Sequence, residues 1–146
     1  MLEIEELSKT YTVRGKSVEA LADISFTCEP GDFTVVCGHS GCGKSTLILS
    51  IGSMLRPTSG NIVYKGKNIY GLSAAGRSRY RKHTVGFIFQ RFFLIPYLSA
   101  YDNILLPLPL RSRTETARSK AAALAERLGI TGRLEDMPPQ LSVGEM

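Results

Sequence analysis

A chain of 146 residues is the size of one ordinary domain and is long enough to bury a core. With 43% hydrophobic and 21% charged residues its composition excludes a disordered or fibrous class, and no apolar stretch reaches the length of a membrane span. The formal net charge is +5, and the three cysteines show no metal-ligand spacing.

The first six residues, Met1-Leu2-Glu3-Ile4-Glu5-Glu6, are acidic and lack the basic and apolar regions of a secretory leader, so a cytoplasmic protein is expected. Leu2 and Ile4 then alternate with glutamates, and Ile24, Phe26 and Cys28 alternate with polar residues, which reads as strand over the first thirty residues. Glu29-Pro30-Gly31-Asp32 is a turn. The apolar, β-branched run Phe33-Thr34-Val35-Val36-Cys37 predicts a buried strand. Behind it stands Gly38-His39-Ser40-Gly41-Cys42-Gly43-Lys44-Ser45-Thr46, which fits G-x-x-x-x-G-K-[ST]. Residues 45–51 carry apolar groups at helical spacing, so the motif has the order its chemistry requires: strand, glycine loop, helix start.

Such a loop binds phosphate for physical reasons. Glycines at 38, 41 and 43 let the backbone turn and approach a ligand closely. Its N–H groups then form a nest for anionic oxygens, and a helix opening near Lys44 adds its positive end. Lys44 reaches the β- and γ-phosphates of a nucleoside triphosphate, and the Ser45 hydroxyl sits on Mg²⁺.

Residues 56–60 break the pattern, and residues 61–64 and 68–70 predict short strands around Lys65-Gly66-Lys67, giving an antiparallel β layer. A polar helix is expected near residues 73–81, then a second buried strand over residues 85–89 with Gln90 at its end. Helices follow near residues 100–106 and 114–128, the second with Ala117, Ala121, Leu124 and Leu128 on one face and Gly129 as its stop. Cys28 and Cys37 read as small core residues and Cys42 as a small side chain in a crowded turn. The cluster Arg77, Arg79, Arg81 and Lys82 around Tyr80 reads as a solvated helix face, because no series of stacking aromatics accompanies it. No nucleic-acid partner is expected.

Taken together, four motifs resemble the ATP-binding cassette ATPases, the motor subunits of ABC transporters. Tyr11 resembles the aromatic that stacks on adenine. The loop from Gly38 to Thr46 is the phosphate loop. Gln90 resembles the glutamine that meets Mg²⁺ and attacking water, and Leu141-Ser142-Val143-Gly144-Glu145 resembles the signature motif. Val85-Gly86-Phe87-Ile88-Phe89-Gln90, with Phe93-Leu94-Ile95-Pro96 and Asn103-Ile104, is similar to the lipoprotein-releasing and macrolide-exporter type. The resemblance implies a P-loop NTPase fold of the ABC nucleotide-binding type: an antiparallel β layer, part of a parallel core sheet, and a helical subdomain over about residues 96–146. All of this would lie within one domain spanning residues 1–146.

The resemblance also implies a chemistry. ATP and Mg²⁺ are the cofactors, held by Tyr11, Gly38, His39, Ser40, Gly41, Cys42, Gly43, Lys44, Ser45 and Thr46. Ser45 and Gln90 serve the metal, and Gln90 is the catalytic group. Ser142 and Gly144 reach the ATP of a second ATPase subunit. Residues 91–101, rich in Phe92, Phe93, Leu94, Ile95, Tyr97 and Leu98, face a transmembrane permease, although core is an equal reading for Phe92 and Leu94. The location implied is the cytoplasmic face of the membrane.

Two departures from the family pattern stand out. Val143 replaces the usual glycine, and a β-branched residue narrows the backbone angles available there. No residue matches the family's Mg²⁺-binding aspartate, catalytic glutamate or switch histidine, and neither His39 nor His83 holds the last position. The chain is therefore expected to be C-terminally incomplete, with its two buried strands lacking a shared neighbour and with no hydrolysis of its own. The competing readings are a non-catalytic nucleotide-binding module, a soluble ABC ATPase acting on DNA or ribosomes, and a small-molecule kinase with the same loop. The kinase is disfavoured because Tyr11, Gln90 and the signature would then be separate accidents.

Overall fold

The computed structural model describes residues 1–109 and 112–146 and divides into two compact units, Met1–Phe87 and Ile88–Met146. The first contains a four-stranded antiparallel sheet of order β2-β1-β3-β4, with β1 at Leu2–Val13, β2 at Lys16–Cys28, β3 at Ser59–Tyr64 and β4 at Lys67–Asn68. Two hairpins build it. Arg14 and Gly15 join β1 to β2 with φ of 50° and 75°, and Lys65 and Gly66 join β3 to β4 with φ of 49° and 73°. Positive φ at both central residues is the turn geometry whose twist matches paired strands.

Irregularities in β1 and β2 decide which side chains face the core. Ile4 and Leu7 are three residues apart, so strict alternation would put them on opposite faces. A register shift between them, with Glu6 at φ 49°, turns both inward. Asp23, at φ 48°, accompanies the matching irregularity in β2. Ser25 Oγ accepts the Glu6 amide at 2.8 Å, and Ser8 Oγ accepts the Asp23 amide at 2.9 Å, so the amides at these two residues keep partners. Ile4, Leu7, Leu21 and Ile62 then form one core with Leu47 and Ile69.

Leu47 belongs to helix α1, Lys44–Ile51. Its end is a Schellman cap. The Met54 amide donates to the Leu49 carbonyl at 2.9 Å and the Ser53 amide to the Ser50 carbonyl at 3.0 Å, with Ser53 left-handed at φ 56°. Three side chains grip this end. Tyr70 Oη donates to the carbonyls of Ser50 and Leu55, Tyr80 Oη donates to that of Ile51, and Arg81 donates to Ser53. Tyr80 and Arg81 come from helix α2, Ala74–Thr84, which Ser73 caps through the Gly76 amide.

The second unit holds helix α3, Ala100–Leu105, capped by Ser99, and helix α4, Glu115–Arg127, capped by Thr114. Gly129 ends α4 at φ 72°, as expected of it. 3-10 turns follow at Thr131–Arg133 and Pro138–Gln140.

Several sequence expectations need correction. Residues 33–37 and 85–89 join no strand ladder, and the sheet described is wholly antiparallel, so the partial parallel core sheet is not formed among the described residues. An apolar run becomes a strand only where a neighbour takes its backbone groups, and the sheet's edges, β2 and β4, pair with neither segment. Phe33 is 93% exposed and Cys37 is exposed too, which overturns its assignment to the core. The first strand runs on to Val13, so Tyr11 lies within β1. Residues 69–70 turn into a 3-10 helix, since the Asn68 side chain accepts the amides of Tyr70 and Gly71. In α4 the buried positions are Ala121 and Ala125, whereas Leu124 and Leu128 are exposed.

Candidate nucleotide-binding site

The loop of residues 38–46 has the backbone its glycines permit. Gly38, Gly41 and Gly43 all have left-handed φ, at 153°, 82° and 93°. Gly43 also needs the missing side chain, since a Cβ there would lie 2.1 Å from the Ala20 carbonyl oxygen. That close approach presses the loop against β2. Gly43 serves as the N-cap of α1 without a side-chain cap, and the helix has no acidic residue in its first turn. The N–H groups of that turn are thus left for an anion.

Lys44 folds back into its own loop. Its ammonium donates to the carbonyls of Gly38 and His39, each at 2.7 Å, and lies 3.7 Å from Cys42 Sγ. The cation is held at the loop by weak carbonyl acceptors, which phosphate oxygens would replace with stronger, charge-assisted bonds. Ser45 is exposed on the first helical turn. Ser40 is exposed beside His39, whose Nδ1 lies 2.9 Å from the Ser40 carbonyl oxygen.

Tyr11 comes to this loop from β1. Its hydroxyl lies 3.4 Å from Thr46 Oγ1, and the Lys9 ammonium stands 5.3 Å from its ring centroid. An aromatic ring and the first turn of α1 therefore share one corner of the first unit. The fit to a nucleotide triphosphate rests on this set: a cation at the loop, an uncapped helix start, and a ring beside them. For Mg²⁺ the same unit supplies the Ser45 hydroxyl, in keeping with a small cation bound by few protein ligands together with phosphate and water. Among the described residues no group of three or more His, Cys, Asp or Glu side chains is placed to hold a metal by itself.

Gln90, Ser142 and Gly144 belong to the second unit, so the structure does not gather all the expected site residues in one compact body. Gln90 is exposed. Beyond it Phe93 is 70% and Tyr97 77% exposed, and Phe92 is exposed as well, which removes Phe92 from the core; Leu94 is half-buried. Phe89 and Phe93 meet edge to face at 5.3 Å, and Phe93 holds a left-handed backbone at φ 50°. The segment is shaped by a residue the sequence reading did not single out for this role. Asn103 Oδ1 accepts the Ile95 amide at 2.8 Å, while Nδ2 is shared among the carbonyls of Ile95, Leu98 and Ser99. An asparagine eight residues beyond Ile95 leaves no sequence signal of that use.

The signature region forms a helical turn. Ser142 accepts the amides of Glu145 and Met146 on its carbonyl, at 3.0 and 3.1 Å, and its own amide donates to Glu145 Oε2 at 2.8 Å. The last bond is one half of a capping box, with the spacing S-x-x-E. Arg133 grips the same carboxylate at 2.9 Å and Asp136 at 3.2 Å. The Ser142 hydroxyl and amide, with Arg133, hold the Glu145 carboxyl down to about 2. Val143 is exposed in this turn.

Comparison with known proteins accords with this geometry. The family model described as ABC transporter matches residues 21–146. The lipoprotein-releasing system ATP-binding protein LolD 1 of Rhodopirellula baltica is 36% identical over 146 residues, covering 99% of this chain and 64% of that protein. The macrolide export ATP-binding/permease protein MacB of Syntrophobacter fumaroxidans is 36% identical over 148 residues, 99% of this chain and 21% of its own length. A dimeric structure of the ATP-binding cassette MJ0796 bound to ADP and Pi superposes with a TM-score of 0.89 at 30% identity, over 99% of this chain and 65% of that one. The chain belongs to the ABC transporter family, and its fold is that of an ABC ATPase cassette. It spans about two thirds of the LolD relative and of the MJ0796 cassette.

Proposed function

We propose that this chain binds ATP with Mg²⁺ at the loop from Gly38 to Thr46 and serves as the ATPase part of a membrane transporter of the lipoprotein-releasing or macrolide-exporting type. The observation that carries the reading is Lys44, drawn onto the carbonyls of Gly38 and His39 beside the uncapped start of α1. In this reading the loop amides and Lys44 bind the phosphates, Tyr11 stacks on adenine, and Ser45 and Gln90 take Mg²⁺. Mg·ATP, when bound, supplies the phosphoryl group and the charge that the loop is built to meet. Gln90 orients water. Ser142 and Gly144 serve the nucleotide of a second ATPase subunit, a role supported by the dimeric MJ0796 cassette. We place residues 1–146 in one ABC domain, with a helical part from about residue 96, peripheral to the cytoplasmic face of the membrane.

The exposed aromatics at Phe93 and Tyr97, on a segment bracketed by Asn103, support a permease contact. No carboxylate in these residues matches the family's hydrolytic positions, so the 146 residues alone are expected to bind nucleotide without releasing phosphate. The test of the site is Lys44→Ala with a fluorescent ATP analogue. Loss of a charged hydrogen bond weakens binding by about 2 kcal/mol, roughly thirtyfold. Equal affinity of mutant and parent refutes the site.

A further inference from the structure

Between Asp32 and Asp102 the sequence has no carboxylate side chain, yet nine lysines and arginines fall in that interval. Some are engaged within the fold: Lys44 in its loop, Arg77 on the Leu72 carbonyl at 2.7 Å, and Arg81 on Ser53. Helix α2 separates these from the rest by its periodicity. Gly76, Arg77, Tyr80 and Arg81 are half-buried on one face, while Ala75, Ser78, Arg79, Lys82 and His83 are exposed at i, i+3, i+4, i+7 and i+8 on the other. The β3–β4 turn adjoins this helix. Tyr64 and Tyr80 meet edge to face at 5.6 Å, and the Lys65 ammonium stands 5.4 Å from the Tyr64 ring centroid. Lys65, Lys67, Arg79 and Lys82 are all exposed, and among the described residues none of the four forms an ion pair.

We propose that Lys65, Lys67, Arg79 and Lys82 form a docking surface for anionic phospholipid headgroups. The four cations are carried by long side chains on a helix face and a turn, while on the neighbouring strand β1 Glu3 pairs with Val63 and Glu5 accepts from Asn61 at 3.3 Å. Such a set matches a diffuse negative surface, to which each lysine or arginine adds a similar increment. Single-stranded nucleic acid is a poorer match, because the aromatics are already used: the Tyr64 and Tyr80 rings pack on each other, and the Tyr80 hydroxyl donates to Ile51. Membership of the ABC transporter family sets a membrane as the surface at hand. The docking face is distinct from the nucleotide loop and stands or falls without it.

The test is co-sedimentation of the 146-residue chain with phosphatidylcholine vesicles containing phosphatidylserine, against pure phosphatidylcholine, across a salt series. Binding is expected only with phosphatidylserine and is expected to fade with salt. Each cation removed should lower partitioning about fivefold, so Arg79→Gln with Lys82→Gln should lower it about 25-fold, and Lys65→Gln further. Arg14→Gln with Lys16→Gln, on the β1–β2 turn, removes the same charge elsewhere and should have a much smaller effect. All these residues are exposed, and far-UV circular dichroism checks that each variant folds. The proposal is overturned by salt-insensitive or absent binding, by equal losses in the two double variants, or by tighter binding to a single-stranded oligonucleotide that the same substitutions abolish.

Discussion

Gly41 and Gly43 invite a paired experiment, because they share a motif and a left-handed backbone but not a neighbourhood. A Cβ at Gly41 would meet nothing within 4 Å, while one at Gly43 would lie 2.1 Å from the Ala20 oxygen and 3.0 Å from Leu21 Cδ2. Alanine at either position suffers the left-handed penalty of about 1–2 kcal/mol. Loss of unfolded-state freedom offsets about 0.4–1 kcal/mol of that. Gly41→Ala should therefore destabilise by roughly 0.5–1 kcal/mol. Gly43→Ala adds an overpacking cost of about 1–3 kcal/mol, because backbone on β2 must shift, for a total of roughly 2–4 kcal/mol. Urea unfolding followed by circular dichroism gives both values on the same chain. Affinity for a fluorescent ATP analogue should fall further in Gly43→Ala, since residue 43 also starts α1. Equal destabilisation by the two substitutions would refute the view that contact with β2 positions the loop.

Other expectations follow from single contacts. Tyr11→Ala should weaken ATP binding by about 1 kcal/mol through lost stacking, and an unchanged dissociation constant would remove the ring from the site. Tyr70→Phe leaves the carbonyls of Ser50 and Leu55 without their phenol donor and should cost about 1–3 kcal/mol in urea unfolding. Burial lifts the Tyr70 hydroxyl to about 12, with nearby Arg77 pulling the other way. A raised acid keeps its stabilising proton below its ordinary value near 10, so this contribution is complete at neutral pH and vanishes as pH rises through about 12. Glu145 runs in the opposite sense: its depressed carboxyl stabilises the Ser142 turn above the ordinary carboxylate range, and that contribution is lost as pH falls through about 2. A carbon-detected NMR titration should show Glu145 ionising well below other glutamates and moving up in Arg133→Gln. Titration at an ordinary value in the parent chain would contradict the geometry.

The phosphate loop was legible because its chemistry is written as local spacing: three glycines, a lysine and a hydroxyl require no distant partner to be recognised. The helices were legible from local runs and apolar spacing, and Ser73, Ser99 and Thr114 cap them through side-chain oxygens. What escaped depends on remote pairing. Residues 33–37 have the composition of a strand, but composition does not provide a neighbour. In α4 the buried stripe runs through Ala121 and Ala125 and leaves Leu124 and Leu128 exposed. At the site, neither the Lys44 bonds to its loop carbonyls nor the approach of Tyr11 to Thr46 exists until β1 and α1 are brought together.

The pairing of β1 with β3 has a kinetic meaning. Each hairpin closes on two residues and zips locally, on the microsecond scale. β3 must instead return to β1 across the whole stretch that contains the phosphate loop, meeting it at pairs such as Glu5 with Asn61 and Ser8 with Ser59. Closing so long a loop is the slow, entropically uphill step in assembling the sheet. The same closure brings Ile62 into the core with Leu47 of α1, so the loop's anchor and the sheet's last register form together. A ligand that fixes the loop then acts as a clasp on folding: it binds only the closed form and draws the chain toward it by mass action.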